Sequence, residues 1–452
     1  MAAYSPRIAR QVAEVVRALW FVPALMTIAG LTLGLIMPGI DAMPGVVRET
    51  RLGWVRTVLD SAPAGAQQLL ATSAGALATV LGVAFSLTLV TLQLATAQYT
   101  PRLIGRLLED RVTKIVLGAF IGTVAYLLLV LRSVHGVGDG QSPFVPRLSM
   151  ALGLVLILGC LGLLAYFVHH LGGSIQAASL ASRVAQQTMD ALAKLRRNEG
   201  EPVPDPGHEL RPESHAVVQA DRHGFVQLVD GARLAAVLPE DISHAQVLVA
   251  AGDFVLPDQP LLAFWPPRPL ERREAAALQQ AVALGEERTE DQDVLYGVRL
   301  LADIGLKALS PSLNDETTAV TAVNQLGAVL AAAGRGGEGS RWRRYPLDGR
   351  TVFLPGLTLR RMVEDGFGGL IRFSADHPRV LARIIEVLGE LSSRMPPCDG
   401  RDALLEAAGW VERIAHHAEL APHERRLVAK RLEALRTHEE QGVRVDGPHA
   451  MH

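Results

Sequence analysis

Cysteine is almost missing from this sequence. Its 452 residues include two, Cys160 in an apolar run and Cys398 in a Pro/Gly-rich loop. That excludes a disulfide framework and fits a cytosolic location for the water-soluble part. An excess of either charge is also missing: 44 Lys and Arg stand against 46 Asp and Glu, a net charge of −2. Nothing therefore draws the chain to nucleic acid by bulk attraction. Charge itself is scarce, at 20% of residues against 49% hydrophobic, and the scarcity is uneven. The apolar weight lies before His169 and the charges lie after it. A cleavable signal peptide is not evident, because the first apolar run outlasts an h-region and a second run follows soon after. It reads as a retained signal anchor. Zinc-type spacing, a P-loop and a nucleophile elbow are absent, so no metal, no cofactor and no catalytic residue is expected, and the chain is not expected to be an enzyme. The glycines from Gly334 to Gly339 spell GxGxxG, but they follow a helical pattern instead of a strand and fail the context of a dinucleotide site.

What is present is a set of long uncharged runs. A spanning helix needs about 20 apolar residues, because the hydrocarbon core is about 30 Å thick and each residue rises about 1.5 Å. Spans are expected at residues 18–40, 67–98, 115–132 and 148–168. The third is short and would borrow Lys114 and Arg132 as snorkelling ends. The second is too long for one perpendicular crossing. Ile8, Val12, Val15, Val16 and Leu19 fall at helical spacing beside arginines, the pattern of a helix in the membrane interface or of an extension of the first span. Arg7, Arg10, Arg17, Arg102, Arg106, Arg111 and Lys114 lie on one side of an even number of spans. Arg48, Arg51, Arg56, Arg132 and Arg147 lie on the other, seven against five. The bias predicts both termini in the cytoplasm.

Within the second span, Gly75, Thr79, Gly82, Ser86, Gln93 and Thr100 fall on one helical stripe, with Thr72 and Thr96 close to it. Two readings fit: helices packing closely on small residues, or a weakly polar face lining a water-filled path. Gly118 and Gly122 form a GxxxG pair in the third span and read as packing.

After His169 the pattern turns amphipathic. A connecting helix and a Pro/Gly/charge-rich linker occupy 171–214. At 215–270 short β-rich runs alternate with turns, and Ala251-Gly252-Asp253-Phe254-Val255 resembles the turn-and-strand pattern of small biotinyl/lipoyl-type β-sandwich modules. No lysine stands at a hairpin tip to be modified, so a structural or docking module is expected. Residues 271–452 read as mainly helical. The fold class expected is α+β: a bundle of about four transmembrane helices (1–170), then a cytosolic part with a small β-sandwich-like module and a mainly helical remainder.

The densest polar constellation runs from Asp291 to Ala319. Gln292, Tyr296, Arg299, Asp303, Lys307 and Ser310 recur at helical spacing as one stripe between apolar faces. Asp303 lies four residues from both Arg299 and Lys307, so it can pair with either. Pro311 then breaks the helix, and Asn314 or Asp315 can cap the next. The stripe is either an ordinary solvated helix face or a site that contacts a ligand or subunit.

The Asp291–Ala319 segment, together with Ala97-Gln98-Tyr99-Thr100-Pro101-Arg102, Asp110 and His169-His170-Leu171, resembles the bacterial predicted membrane proteins grouped as domain of unknown function 2254. The resemblance covers nearly the whole chain. It departs at Glu316, where the family pattern has Pro; this is the first helical position after Asp315, where Pro is favoured and Glu acceptable. The resemblance implies a bacterial plasma-membrane location and this architecture, and no activity. Two functions fit the residues. One is a self-associating channel- or transport-like protein with a cytosolic regulatory domain. The other is a membrane-anchored scaffold or ligand sensor. The partners expected are the lipid bilayer and further copies of the chain, with an unidentified small molecule or ion as ligand.

Overall fold

The computed structural model describes residues 18–43, 62–98, 111–135, 144–174, 177–198, 200–203, 215–289, 292–335 and 342–445. The expected interfacial helix at residues 8–16, Thr100 with the motif beyond Gln98, Asp110, most of the basic loop, residues 204–214 of the linker, Asp291 and the glycines after Arg335 lie outside the described residues. The chain divides into two units, Met1–Gln176 and Ala177–His452.

The first unit contains α1 (Phe21–Asp41), α2 (Pro63–Gln98), α3 (Arg111–Arg132) and α4 (Arg147–Ser174). All four hold stretches long and apolar enough to cross a membrane. A helix bonds its own backbone groups internally, so a run without ionised side chains can meet hydrocarbon along its whole length. The α1–α3 crossing is close because both helices carry glycine at the contact. A Cβ on Gly30 would collide with the Gly122 carbonyl, and one on Gly122 would lie 2.6 Å from the Met26 carbonyl oxygen. Gly118 meets Met26 and Pro23 in the same way, so the GxxxG pair serves packing inside the chain.

Two polar links tie the helix ends. Asp41, the buried last residue of α1, accepts hydrogen bonds from Leu148 N and Ser149 N, each at 2.9 Å, and from Ser149 Oγ at 2.6 Å. The Gln67 amide donates to the Val134 carbonyl at 3.2 Å. The C-terminal ends of α1 and α3 and the N-terminal ends of α2 and α4 therefore meet at one end of the bundle. The snorkelling expected of Lys114 is corrected. Helix α3 starts at Arg111, a turn earlier than the sequence suggests, so Lys114 falls beside Leu117 and Gly118 on the packed face and is 4% exposed.

The second unit is mixed α/β. It opens with α5 (Ala177–Asn198), whose Leu180, Ala181, Val184, Ala185 and Leu192 form one buried face. Next come β1 (Glu201–Val203), β2 (Ala216–Gln219), β3 (Gly224–Val229), α6 (Gly231–Val237), β4 (His244–Val247), β5 (Phe254–Val255), β6 (Pro260–Trp265), α7 (Arg272–Gln280) and β7 (Val282–Gly285). Helices α8 (Val294–Ala308) and α9 (Glu316–Gly334) precede β8 (Trp342–Leu347) and β9 (Arg350–Pro355). Four helices finish the unit: α10 (Leu359–Phe373), α11 (Pro378–Ser392), α12 (Asp399–His417) and α13 (Pro422–Val445).

One sheet has the order β1-β8-β9-β4-β6-β2 and the other β5-β3-β7. All pairings are antiparallel except β4 with β9, which run parallel with Ala245 opposite Val352. Both sheets share one apolar core that includes Val226, Leu234, Ile242, Val247, Phe264, Val282 and Val352. Strands β1, β7, β8 and β9 lie outside 215–270, yet they complete the two sheets. The β8–β9 hairpin turns on Asp348 and Gly349, both with positive φ (49° and 78°), as a two-residue turn between right-twisted strands requires.

Candidate functional sites

In the first unit the stripe on α2 is laid out as its spacing predicts. The helix packs by Ala66, Leu70, Ala74, Leu77 and Ala84, all buried. At about 100° per residue, Gly75, Thr79, Gly82, Ser86 and Gln93 fall on the opposite side, and all five are exposed. A Cβ on Gly75 or Gly82 would meet nothing within 4 Å. The hydroxyl of Thr79 donates to the Gly75 carbonyl at 3.0 Å, which folds its polarity into the helix. Among the described residues Gly75 and Gly82 thus meet no neighbour, unlike Gly30 and Gly122. The helix is also long: its 36 residues run to roughly 54 Å, against about 30 Å of hydrocarbon.

In the second unit the expected stripe is divided among three environments. Gln292 is not on α8, because Asp293 is the N-cap and the helix starts at Val294. The Gln292 amide instead brackets one residue of β3: its Oε1 accepts from Val229 N at 2.9 Å and its Nε2 donates to Val229 O at 3.3 Å. Arg299, Asp303 and Lys307 do share the half-buried side of α8 with Tyr296. The Arg299 guanidinium reaches across to Asp365 of α10, at 3.1 Å. Ser310 lies past the end of α8, its hydroxyl donating to the Lys307 carbonyl at 2.7 Å. Asn314 takes a left-handed φ of 47° in the corner, a conformation that Asn tolerates better than most residues. Asp315 caps α9, accepting from Thr318 N at 3.0 Å and Thr318 Oγ1 at 2.6 Å. The Thr318 hydroxyl first, and the backbone N–H beside it, hold the Asp315 carboxyl below the usual carboxylate range.

The more enclosed arrangement centres on Asp293, which the stripe does not contain. Its side chain is 1% exposed. Arg288 Nε and the terminal nitrogen Nη2 each lie 2.7 Å from its Oδ2, and Tyr296 N donates to its Oδ1 at 3.0 Å. The Arg288 guanidinium also stands 5.3 Å from the centre of the Tyr296 ring. Burial pushes the Asp293 carboxyl up, and the charge and hydrogen bond of Arg288 oppose the shift. Gly252, at φ 93°, faces the pair, and a Cβ there would collide with the Asp293 carboxylate.

Beside this pair lies a cavity of about 400 Å³. Five stretches far apart in sequence form it: Leu195 of α5, the β3–α6 corner, the β4–β5 turn, the start of α8, and β8–β9 with the start of α10. Its ionisable lining is Asp230, Asp293, Arg343 and Arg361, and its apolar walls include Leu195, Val294, Leu354 and Leu357. Among the described residues no three His, Cys, Asp or Glu side chains converge as a metal site. The sequence carried one signal for the buried pair: an Asp directly before the apolar Val294-Leu295, the place of a helix N-cap.

Four apolar helices joined through buried polar links, and a mixed α/β unit after them, are the build of a membrane protein with four candidate spans. Residues 17–390 match the family described as "Predicted membrane protein (DUF2254)", and the chain belongs to that family. It is 27% identical over 411 residues to uncharacterized proteins of Mycobacterium tuberculosis and Mycobacterium bovis, a match that covers 88% of this chain and 76% of each of theirs. No solved structure matches.

Proposed function

We propose that the chain is a self-associating channel- or transport-like protein of the bacterial plasma membrane, with both termini in the cytoplasm and the α/β unit regulating it there. The observation that carries this reading is the placement of α2. It packs by one edge and turns Gly75, Thr79, Gly82, Ser86 and Gln93 away from its own bundle. Gly75 and Gly82 offer little side-chain surface to lipid and allow another helix to approach closely. In this reading α2 helices from several copies meet, and the stripe borders a path between them.

The test joins three measurements. Detergent-purified protein is weighed for its oligomeric mass, ion flux is followed in liposomes, and cysteines at Thr79, Ser86 and Gln93 are probed with water-soluble thiol reagents. The reading expects an oligomer, flux, and labelling of all three cysteines. A monomer, or labelling absent at every position, removes it.

A second reading draws on the cavity beside Asp293. In it the α/β unit binds a small molecule, and the spans anchor that sensor without conducting. An oligomer or monomer without flux, but with a saturable ligand, would favour it.

A further inference from the structure

We propose that one end of the second unit's helices, formed by the α8–α9 corner and the α10–α11 turn, rests in the headgroup region of the bilayer. Leu313 and Phe373 are its apolar contacts. This goes beyond the transport reading: it needs the spans, but neither flux nor a particular side of the membrane.

Three observations carry it. The first is which helix ends meet. Gln325 of α9 donates to Ser182 of α5 at 3.2 Å, and further along the same two helices the Arg196 guanidinium donates to the Ala333 carbonyl. Helices α5 and α9 thus run in the same direction. Val298 faces Gly366 and Leu370 faces Gly305, so α8 and α10 also run together. At the corner between α8 and α9, Asp315 N donates to the Ala308 carbonyl at 2.8 Å, so α9 leaves where α8 stops. The start of α5, the end of α8, the start of α9 and the end of α10 therefore share one end. His377 Nδ1, 3.3 Å from Glu316 Oε1, adds the start of α11.

The second is where large apolar side chains stay in the open. Among the described residues of α5, and of α8 to α13 with their connections, β8–β9 aside, only Leu313 and Phe373 are large hydrophobics left exposed, at 40% and 63%. A single exposed apolar side chain is ordinary, but these two fall at the same end.

The third is the tether. The apolar run of α4 reaches Leu171, and its last residue, Ser174, is followed after two residues by Ala177, the first of α5. Three Cα steps reach at most about 11 Å. The other end of α5 is 22 residues on, roughly 33 Å away. The span thus delivers the chain to the end that bears Leu313 and Phe373. Leu and Phe suit the boundary between headgroups and acyl chains, as on the apolar face of an interfacial helix. The Arg372 guanidinium, 6.0 Å from the centre of the Phe373 ring, can stay among headgroups while its stem follows the ring. Exposed Arg372 and Arg379 are matched by exposed Asp315 and Asp376. The contact is therefore apolar and does not select anionic lipid.

The experiment places a nitroxide on the full chain in phosphatidylcholine vesicles. Leu313→Cys and Phe373→Cys are made singly in a Cys398→Ser background, where Cys160 is buried. Arg436→Cys, at a side chain 62% exposed, is the reference in water. Collisions with oxygen, which concentrates in hydrocarbon, are compared with collisions with a water-soluble nickel chelate. The oxygen-to-nickel ratio at 313 and 373 should be severalfold higher than at 436, and should stay so when anionic lipid is mixed in. Melting curves show that each variant is folded. A ratio at 313 and 373 like that at 436 overturns the proposal. So does shielding from both reagents, which would mean that protein covers the patch, either another copy or a loop of the same chain. A high ratio seen only with anionic lipid also overturns it, because charge would then make the contact. Flux recorded on the same vesicles tests the channel separately: a lipid contact without flux removes the channel and leaves this surface standing.

Discussion

Asp41 and Ser149 are 108 residues apart in sequence, and a hydroxyl–carboxylate hydrogen bond of 2.6 Å joins them. Asp41 ends α1 and, with the same carboxylate, accepts the Leu148 and Ser149 N–H groups at the start of α4. The first turn of any helix has N–H groups with no partner inside it. Here the N-terminus of α4 is capped by the C-terminus of another helix. A negative charge there also suits the positive end of the α4 dipole.

Asp41→Ala should therefore loosen the bundle by roughly 2 kcal/mol, the scale of a lost cap that leaves buried donors unmatched. Asp41→Asn keeps an acceptor and should lose less. Thermal melting of the full chain in detergent reads both. An unchanged melting temperature for Asp41→Ala would refute the cap.

The glycines of the first unit should separate into two classes. Gly122→Leu puts a side chain where the Met26 carbonyl lies 2.6 Å from a bare Cβ, so overpacking should cost roughly 1–3 kcal/mol. Gly82→Leu meets nothing within 4 Å and should change the stability of a single protomer by less than about 0.5 kcal/mol. Its effect should appear in oligomeric mass or flux instead. Equal melting temperatures for the two variants would contradict the assignment of α2 as outward-facing.

The sidedness proposed for the chain has a direct readout. Met43 follows α1 at the end of the bundle where Asp41 meets α4, and it is 58% exposed. Arg436 on α13 is 62% exposed at its side chain. In a Cys398→Ser background, with Cys160 buried, Met43→Cys should react with a membrane-impermeant maleimide in intact cells. Arg436→Cys should react only after lysis. The reverse pattern, or labelling of both from outside, would overturn the orientation.

The cap on α9 should titrate. Hydrogen bonds from Thr318 lower the Asp315 carboxyl in the folded chain. A carboxyl lowered on folding stabilises above its unfolded value, about 3.9, and loses that contribution as pH falls through the lowered folded value. Asp315→Ala should cost about 1 kcal/mol near neutrality and progressively less below about pH 4. Asp315→Asn, which caps without titrating, should hold its advantage over Ala in acid. Melting curves from about pH 6 to about pH 3 test this, and an Ala penalty independent of pH would rule it out.

The spans were legible because charge depletion over about 20 residues has no common cause other than hydrocarbon. Their ends were less so: Lys114 looks like a boundary by charge, but packing carries it inward. Helical period puts the α2 residues on one face, and period says nothing about what meets that face. The helix implied by the Gln292–Ser310 spacing is present, but Asp293 claims the capping position and sets the start at Val294, which takes Gln292 off the helix. The cavity was out of reach, since Asp230, Asp293, Arg343 and Arg361 converge only through tertiary packing. The β8–β9 hairpin did leave a trace in Asp348-Gly349, a strong turn pair. It was masked by Pro346, which argues against a strand when the sequence is read in isolation.

That hairpin sets an order on the making of the protein. Strand β4 pairs with β6 within about twenty residues of chain, but its other neighbour, β9, begins at Arg350, roughly a hundred residues later. Until Pro355 has been synthesised, the Ala245 edge of β4 has no strand to cover it, and open edges invite pairing with other chains. Chains stopped between Trp265 and Arg350 should accumulate as aggregates, while those that continue past Pro355 should be recovered in the membrane fraction. The closing of this sheet therefore falls late in translation, after the spans have already emerged.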